Sequence, residues 1–152
     1  MSFSVRILGS GSAVPTARRN PTSQYIQCSS RHILIDCGEG TQLQMRKFGV
    51  KFQKLDIILI SHLHGDHYFG LMGLLSTMHL LGRLKELLIF GPKGLKEIVD
   101  LQLKHGNGGF GYDIVFKEMD SNTHDMLFED NKIAIRCFPL KHKISTHGFT
   151  IT

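Results

Sequence analysis

The residues best suited to chemistry form one short segment, SHLHGDH, at positions 61–67. It follows a largely apolar run, residues 55–60, that predicts a buried strand. Side chains alternate along an extended chain, so His62 and His64 point the same way and both imidazoles can bind one metal ion. The glycine that follows lets the backbone turn, and Asp66 and His67 then face a second ion, as in paired-metal hydrolases. The pattern favours a metal site over an ordinary polar loop.

A further ligand is needed from elsewhere in the chain, because a tetrahedral zinc ion usually takes three protein ligands and a water. His142 is the best candidate, since it follows a predicted strand, residues 132–138, and can lie at a strand end as His62 does. His147 is an alternative ligand or substrate contact. The other histidines are predicted to be structural or solvated, with His32 opening a strand, His79 in a helix, and His105 and His124 in loops.

Asp36 ends another predicted buried strand, residues 32–36, and begins the segment DCGEGTQ. A carboxylate there can accept the second ring N–H of a metal-bound histidine and fix its tautomer. The alternative is a role at the start of the helix that begins near Thr41. We expect strands 32–36 and 55–60 to be neighbours. A separate glycine-bearing turn, residues 9–12, lacks the lysine and spacing of a phosphate loop and is predicted to be a tight turn near the site.

The secondary structure predicted around these residues consists of short apolar strands interleaved with helices. Strands are predicted at residues 3–8, 24–28, 32–36, 55–60, 87–90, 114–116, 132–138 and 148–151. Helices are predicted at residues 41–48, 68–81 and 93–104. A β-hairpin is predicted where a polar turn separates residues 126–128 from residues 133–137. The fold class is therefore mixed α/β.

The composition fits one globular domain of 152 residues, with 41% hydrophobic and 20% charged residues. The three cysteines show no C-x-x-C spacing, which argues against a disulfide framework or a cysteine zinc site. The net charge of +5 suits a polyanionic partner or an ordinary solvated surface. The longest apolar stretch, residues 71–81, falls short of the ~20 residues of a membrane span. No membrane segment or targeting signal is predicted, and we expect a cytoplasmic protein.

Several segments together resemble one family of enzymes. The histidine segment is similar to the signature of the metallo-β-lactamase superfamily, which many hydrolases share. The surrounding segments resemble ribonuclease Z, the tRNA 3′-processing endonucleases: LGSGSAVPT at 8–16, Arg19-Asn20, DCGEGTQ at 36–42, HGDHYFGL at 64–71 and GPKG at 91–94. The GEGTQ segment is the most specific of them.

The resemblance implies an αβ/βα four-layer sandwich, two zinc ions, and cleavage of precursor tRNA that leaves a 3′-hydroxyl on the tRNA. It assigns the metal ligands as His62, His64 and His142 for one zinc, and Asp66 and His67 for the other. Asp66 is also the expected proton acceptor near the attacking water, and Asp36 matches the family's aspartate. A homodimer is expected for the complete enzyme.

Members of this family are longer than this chain. Beyond the position of His142 they supply a bridging aspartate, a further histidine ligand and an arm that grips the tRNA. The sequence stops at Thr152, so residues 1–152 are expected to be the N-terminal part of a single domain that binds zinc weakly and is inactive in isolation. Two alternatives stay open: a phosphodiesterase of the same fold acting on a small ester such as a cyclic nucleotide, and a non-catalytic fragment.

Overall fold

The computed structural model describes residues 2–106, 108–120 and 124–152. A six-stranded sheet contains, in spatial order, β1 (Phe3–Gly9), β2 (Ser23–Cys28), β3 (Arg31–Ile35), β4 (Ile57–Leu59), β5 (Leu87–Pro92) and β6 (Ile114–Met119). A three-stranded sheet contains β7 (Asp125–Glu129), β8 (Ala134–Leu140) and β9 (Thr146–Ile151). The helices are α1 (Thr41–Lys47), α2 (Gly65–Tyr68), α3 (Leu71–Leu80) and α4 (Leu95–His105), with a 3-10 turn at Phe52–Lys54.

The larger sheet brings four strand ends to one edge. Strands β1 to β3 pair antiparallel, whereas β3 to β6 run parallel, so their carboxyl ends lie together. In open α/β sheets this edge is where ligands bind. Asp36 follows β3 at this edge, and the histidine segment follows β4.

Two cores lie on opposite faces of the larger sheet. The alternation of β4 shows the division: Ile58 packs with the helices, whereas Ile57 and Leu59 pack toward the second sheet. A strand that is apolar on both faces is typical of a buried parallel sheet. The described residues therefore form three layers, helices on sheet on sheet. The fourth, helical layer of the expected sandwich is not found among them.

The structure confirms the mixed α/β class and the expectation that β3 and β4 are neighbours, shows that they pair parallel, and corrects several element boundaries. The helix predicted at residues 68–81 is α3, which begins only at Leu71, and a separate one-turn helix, α2, precedes it and begins within the histidine segment. Pro92 belongs to β5, so the last helix begins at Leu95, and it ends at His105, which was predicted to lie in a loop. In the part of the chain that is described, no helix has the length and apolar character to cross a membrane.

The break at Gly70 has a tertiary cause. Its backbone N–H donates to the carbonyl oxygen of Cys37 at 2.9 Å, which presses this turn against the chain that follows β3. A Cβ at Gly70 would lie 2.1 Å from the carbonyl oxygen of Gly38, a contact that the backbone must move to relieve. The close approach therefore requires glycine.

Gly70→Ala should destabilise the protein by about 1–3 kcal/mol, the usual cost of overpacking. The free energy of unfolding in urea measures the effect. Gly109→Ala is the matched control, because a Cβ at Gly109 meets no atom within 4 Å, and we expect a change within about 0.5 kcal/mol. Equal stability of the two variants would show that the Gly70 contact does not constrain the fold.

Candidate metal centre

Asp36 joins the ends of β3 and β4. It is 4% exposed and adopts φ 58°, a left-handed conformation that Asp tolerates better than most residues. Its backbone N–H donates to the carbonyl oxygen of Leu59 at 2.8 Å. Its Oδ1 accepts the Ser61 backbone N–H at 2.8 Å, and its Oδ2 lies 3.0 Å from the Ser61 hydroxyl. The chain is thus held firmly at the point where the histidine segment begins.

The same carboxylate determines which ring nitrogens carry protons. Nδ1 of His67 lies 2.7 Å from Oδ2 of Asp36, and because an ionised carboxylate only accepts, Nδ1 is the protonated nitrogen. The Ser61 hydroxyl donates to Asp36 and can therefore accept from Nδ1 of His62, 3.0 Å away. Both rings then have an unprotonated Nε2, the form that a metal ligand requires.

Three histidine nitrogens converge at the edge of the sheet. Nε2 of His62 lies 3.1 Å from Nδ1 of His64, which lies 3.3 Å from Nε2 of His142, and all three lie within 4.8 Å of one another. Nitrogens bound tetrahedrally to zinc at ~2.0–2.1 Å are about 3.3 Å apart. Lone pairs directed at one another also repel unless a cation or a proton lies between them. The donor set and its spacing therefore fit a zinc ion.

His142 reaches this cluster from the second sheet. It lies in the exposed turn between β8 and β9, which pair antiparallel up to Leu140 and Thr146. The backbone N–H of His147, in β9, donates to the carbonyl oxygen of Ser61 at 3.0 Å and attaches this hairpin to the end of β4. His142 thus lies next to two strand ends, as expected from its place after a predicted strand.

Asp66 and His67 lie beside the histidine cluster, in the first turn of α2. Oδ2 of Asp66 is 3.5 Å from Nε2 of His67, and it accepts the backbone N–H of Ala13 at 2.8 Å. The ring centroids of His62 and His67 are 3.8 Å apart. Asp66 and His67 thus offer a second pair of ligand atoms close to the first three, and the turn after β1 lies near the site.

The charges of these groups also suit a cation. Burial and the neighbouring His67 lower the pKa of His62 to about 4, although Asp36 opposes this, so His62 is neutral at physiological pH. Burial alone would lower the pKa of His67, but the hydrogen bond and charge of Asp36 raise it. Burial would raise the pKa of Asp66, but the Ala13 N–H and the charge of His67 lower it. Asp66 is thus ionised and His62 neutral, as metal binding requires, whereas the raised pKa of His67 means that a metal ion competes with a proton for that ring.

The remaining candidates lie away from this cluster. His147 is 1% exposed, and its Nε2 lies 2.8 Å from the carbonyl oxygen of Asp120. Its side chain therefore contacts the backbone that follows β6. Thr41 does not need Asp36 as a helix cap, because Gly40 occupies the N-cap of α1. Sequence reasoning gave no role to Ser61 or Ala13. Adjacency to His62 was a possible signal for Ser61, whereas nothing local indicated Ala13.

Comparisons with known proteins place these observations in a family. Ribonuclease Z of Bacteroides fragilis is 46% identical over 147 residues, which are 97% of this chain and 48% of that protein. The crystal structure of the short form of human tRNase Z matches with a TM-score of 0.89 and 32% identity, over 97% of this chain and 64% of that one. The metallo-β-lactamase fold protein YhfI of Bacillus subtilis, 19% identical, matches 99% of this chain and 58% of its own with a TM-score of 0.72.

The resemblance to ribonuclease Z and the metallo-β-lactamase fold are therefore confirmed. The chain spans about half the length of the ribonuclease Z relatives that it matches. A family profile described as "Anti-Pycsar protein Apyc1" matches residues 3–151. The chain, which has the metallo-β-lactamase fold, belongs to the family described by that profile.

Proposed function

We propose that the protein is a zinc-dependent endoribonuclease that removes the 3′ trailer from tRNA precursors and leaves a 3′-hydroxyl on the tRNA. The observation that carries the proposal is the convergence of the His62, His64 and His142 nitrogens beside Asp66 and His67. The choice of precursor tRNA as substrate rests on the similarity to proteins named ribonuclease Z and tRNase Z. The proposal includes a cytoplasmic, homodimeric enzyme in which residues 1–152 are the N-terminal part of one domain.

The ligand assignment follows from the positions of the donor atoms. His62, His64 and His142 would hold one zinc ion, and Asp66 and His67 would contribute to a second. When bound, paired zinc ions supply activation of the attacking water and neutralisation of negative charge on the phosphate. Hydrolysis of a phosphodiester at neutral pH needs both effects.

The chain's own residues orient this chemistry. The Ala13 N–H holds the carboxylate of Asp66 in one direction and keeps it ionised, so that Asp66 can accept the proton of the attacking water. Asp36 fixes the tautomers of His67 directly and of His62 through the Ser61 hydroxyl. Because Asp36 is buried, these orientations do not depend on exposed side chains.

The test of substrate is cleavage of a precursor tRNA with a 3′ trailer by the native-length protein. We expect one cut after the acceptor stem, a 3′-hydroxyl on the tRNA and a 5′-phosphate on the trailer. The second candidate is a phosphodiesterase acting on a small ester, because residues 3–151 also match a family that does not carry the ribonuclease Z name. Hydrolysis of cyclic nucleotides without cleavage of precursor tRNA would favour that candidate and reject the nuclease.

The positioning role of Asp36 leads to a prediction for zinc affinity. Asp36→Asn tolerates the left-handed backbone, but its amide group cannot accept both the Ser61 and His67 hydrogen bonds. We expect zinc affinity to fall about 10–100-fold, as for other partners of metal-bound histidines. Competition with a chromophoric zinc indicator measures it. Asp130→Asn, which alters a carboxylate bonded to Arg31, is the matched control, and an equal affinity of the two variants would contradict the role.

A further inference from the structure

A second cleft lies at the opposite end of β3 from the metal centre. His32 lies near the start of this strand and Asp36 follows its end, roughly 13 Å away at ~3.3 Å per residue. The cleft has a volume of about 270 Å³ and lies between β1, β2, β3 and the segment 49–54. Its polar lining includes Arg6, Tyr25, His32, Lys51 and Lys54.

The lining contains three cations and no Asp or Glu. The guanidinium of Arg6 is held in place by the carbonyl oxygen of Phe48 and lies 5.8 Å from the centre of its ring. Neither Lys51 nor Lys54 forms an ion pair with a carboxylate among the described residues. Charges of one sign that line one cleft create a positive potential that an anion would relieve.

The carboxylate of Asp56, which lies near the cleft, already has partners within the protein. Oδ2 of Asp56 accepts the backbone N–H of His32 at 2.8 Å. Oδ1 of Asp56 pairs with Lys85 and with Arg31, the latter at 3.5 Å. Asp56 is 7% exposed, so its charge is largely used within the protein rather than offered to Lys51 and Lys54.

Two neutral groups add hydrogen-bonding capacity. The Tyr25 hydroxyl is hydrogen-bonded to Nδ1 of His32. With the hydroxyl donating, Nε2 of His32 keeps the ring proton and can donate to an anion. The cleft thus combines cations with an oriented imidazole, the chemistry that recognises phosphate.

The distribution of charge along the chain points to the same surface. Residues 1–54 contain eight Lys or Arg residues and two Asp or Glu residues, whereas the whole chain contains 18 basic and 13 acidic residues of these types. The net positive charge therefore arises from the first third of the sequence. Two neighbouring grooves, one lined by Arg18, Arg19 and Lys47 and the other by Arg46, also lack acidic side chains.

We propose that the cleft bounded by Arg6, Tyr25, His32 and Lys54 is a phosphate-binding site separate from the metal centre. The phosphate is carried either by the backbone of an RNA or by a free phosphate or phosphomonoester. The site does not depend on the nuclease proposal, because its charges and geometry are independent of the metal ligands.

The test is calorimetric titration of the native-length protein with inorganic phosphate at constant ionic strength. We expect saturable binding that weakens about tenfold in Lys54→Gln, the effect of losing one charge-assisted contact. Lys51→Gln should weaken binding in the same direction and serves if the first variant does not fold. Lys104→Gln removes the same charge from α4 and should leave the affinity unchanged.

Two results would overturn the site. One is a phosphate affinity that is equal in Lys54→Gln, Lys51→Gln and Lys104→Gln, or that does not saturate. The other is an affinity that survives Lys54→Gln but is lost in His142→Ala, which would place the anion at the metal centre. Binding of a fluorescent single-stranded RNA then identifies the source: if Lys54→Gln weakens it as well, the phosphate belongs to RNA, and if it does not, the ligand is a free phosphate or phosphomonoester.

Discussion

Asp66→Ala is expected to lower cleavage of precursor tRNA by about 10²–10⁴-fold, the usual contribution of a general base, and further if zinc is lost. The carboxylate of Asp66 lies beside the histidine cluster and, unlike that of Asp36, does not fix a histidine tautomer. Its removal deletes both a ligand atom and the proposed proton acceptor. Single-turnover cleavage with saturating enzyme measures the change.

The interpretation needs a matched carboxylate and a check on folding. Asp100→Ala is suitable, because Asp100 is an exposed residue of α4 whose partner is Lys96, and this variant should cleave normally. The far-UV circular dichroism of Asp66→Ala should match the parent protein, since the hydrogen bond that is lost joins Asp66 to Ala13, which lies in a turn and not in a helix or strand. Near-normal cleavage by a folded Asp66→Ala protein would reject the assignment.

Arg83→Met is expected to have the largest effect on stability, about 3–5 kcal/mol, because several hydrogen bonds are lost at once and each unsatisfied buried group costs about 1–3 kcal/mol. Arg83 is 3% exposed, and its guanidinium lies 5.3 Å from the centre of the Tyr112 ring. Its donors bond backbone carbonyl oxygens at distances from 2.7 to 3.5 Å, those of Phe52, Gln53, Leu55, Lys85 and Glu86. Methionine fills much of the same volume but removes these donors, including the one to the carbonyl oxygen of the buried Leu55, and a buried carbonyl group without a donor is costly.

Urea unfolding compares Arg83→Met with Arg136→Met, in which the same change is made at an exposed position of β8. We expect the control to alter the free energy of unfolding by no more than about 0.5 kcal/mol. A difference between the two variants below about 1 kcal/mol would show that the carbonyl groups around Arg83 find other partners.

Much of the fold could be predicted because the signals are local. Residues 57–60 are apolar on both faces of a strand, which indicates a buried position between two layers, and β4 occupies it. The break between α2 and α3 could not be predicted, since its cause is the contact of Gly70 with Gly38, which lies far away in the sequence. The last helix, predicted from residue 93, begins only at Leu95, because Pro92, a residue type that also favours helix starts, belongs to β5.

The site divides in the same way. The spacing of His62 and His64 is a local pattern, and the position of His142 could be predicted because it follows a strand. The hydrogen bond between Asp66 and the backbone of Ala13 joins residues 53 positions apart and depends on no side chain of Ala13. Long-range contacts to the backbone leave no pattern of residue types, so only the structure reveals them.

Zinc held at this centre is proposed to support cleavage of precursor tRNA. The most direct measurement is cleavage by the native-length protein before chelation, after removal of metal, and after restoration of zinc, with the ends of both products mapped. We expect cleavage to be lost when the metal is removed and to recover when zinc is restored. The tRNA product should end in a 3′-hydroxyl. Cleavage that persists in the metal-free protein, or a 2′,3′-cyclic phosphate on the product, would contradict this proposal.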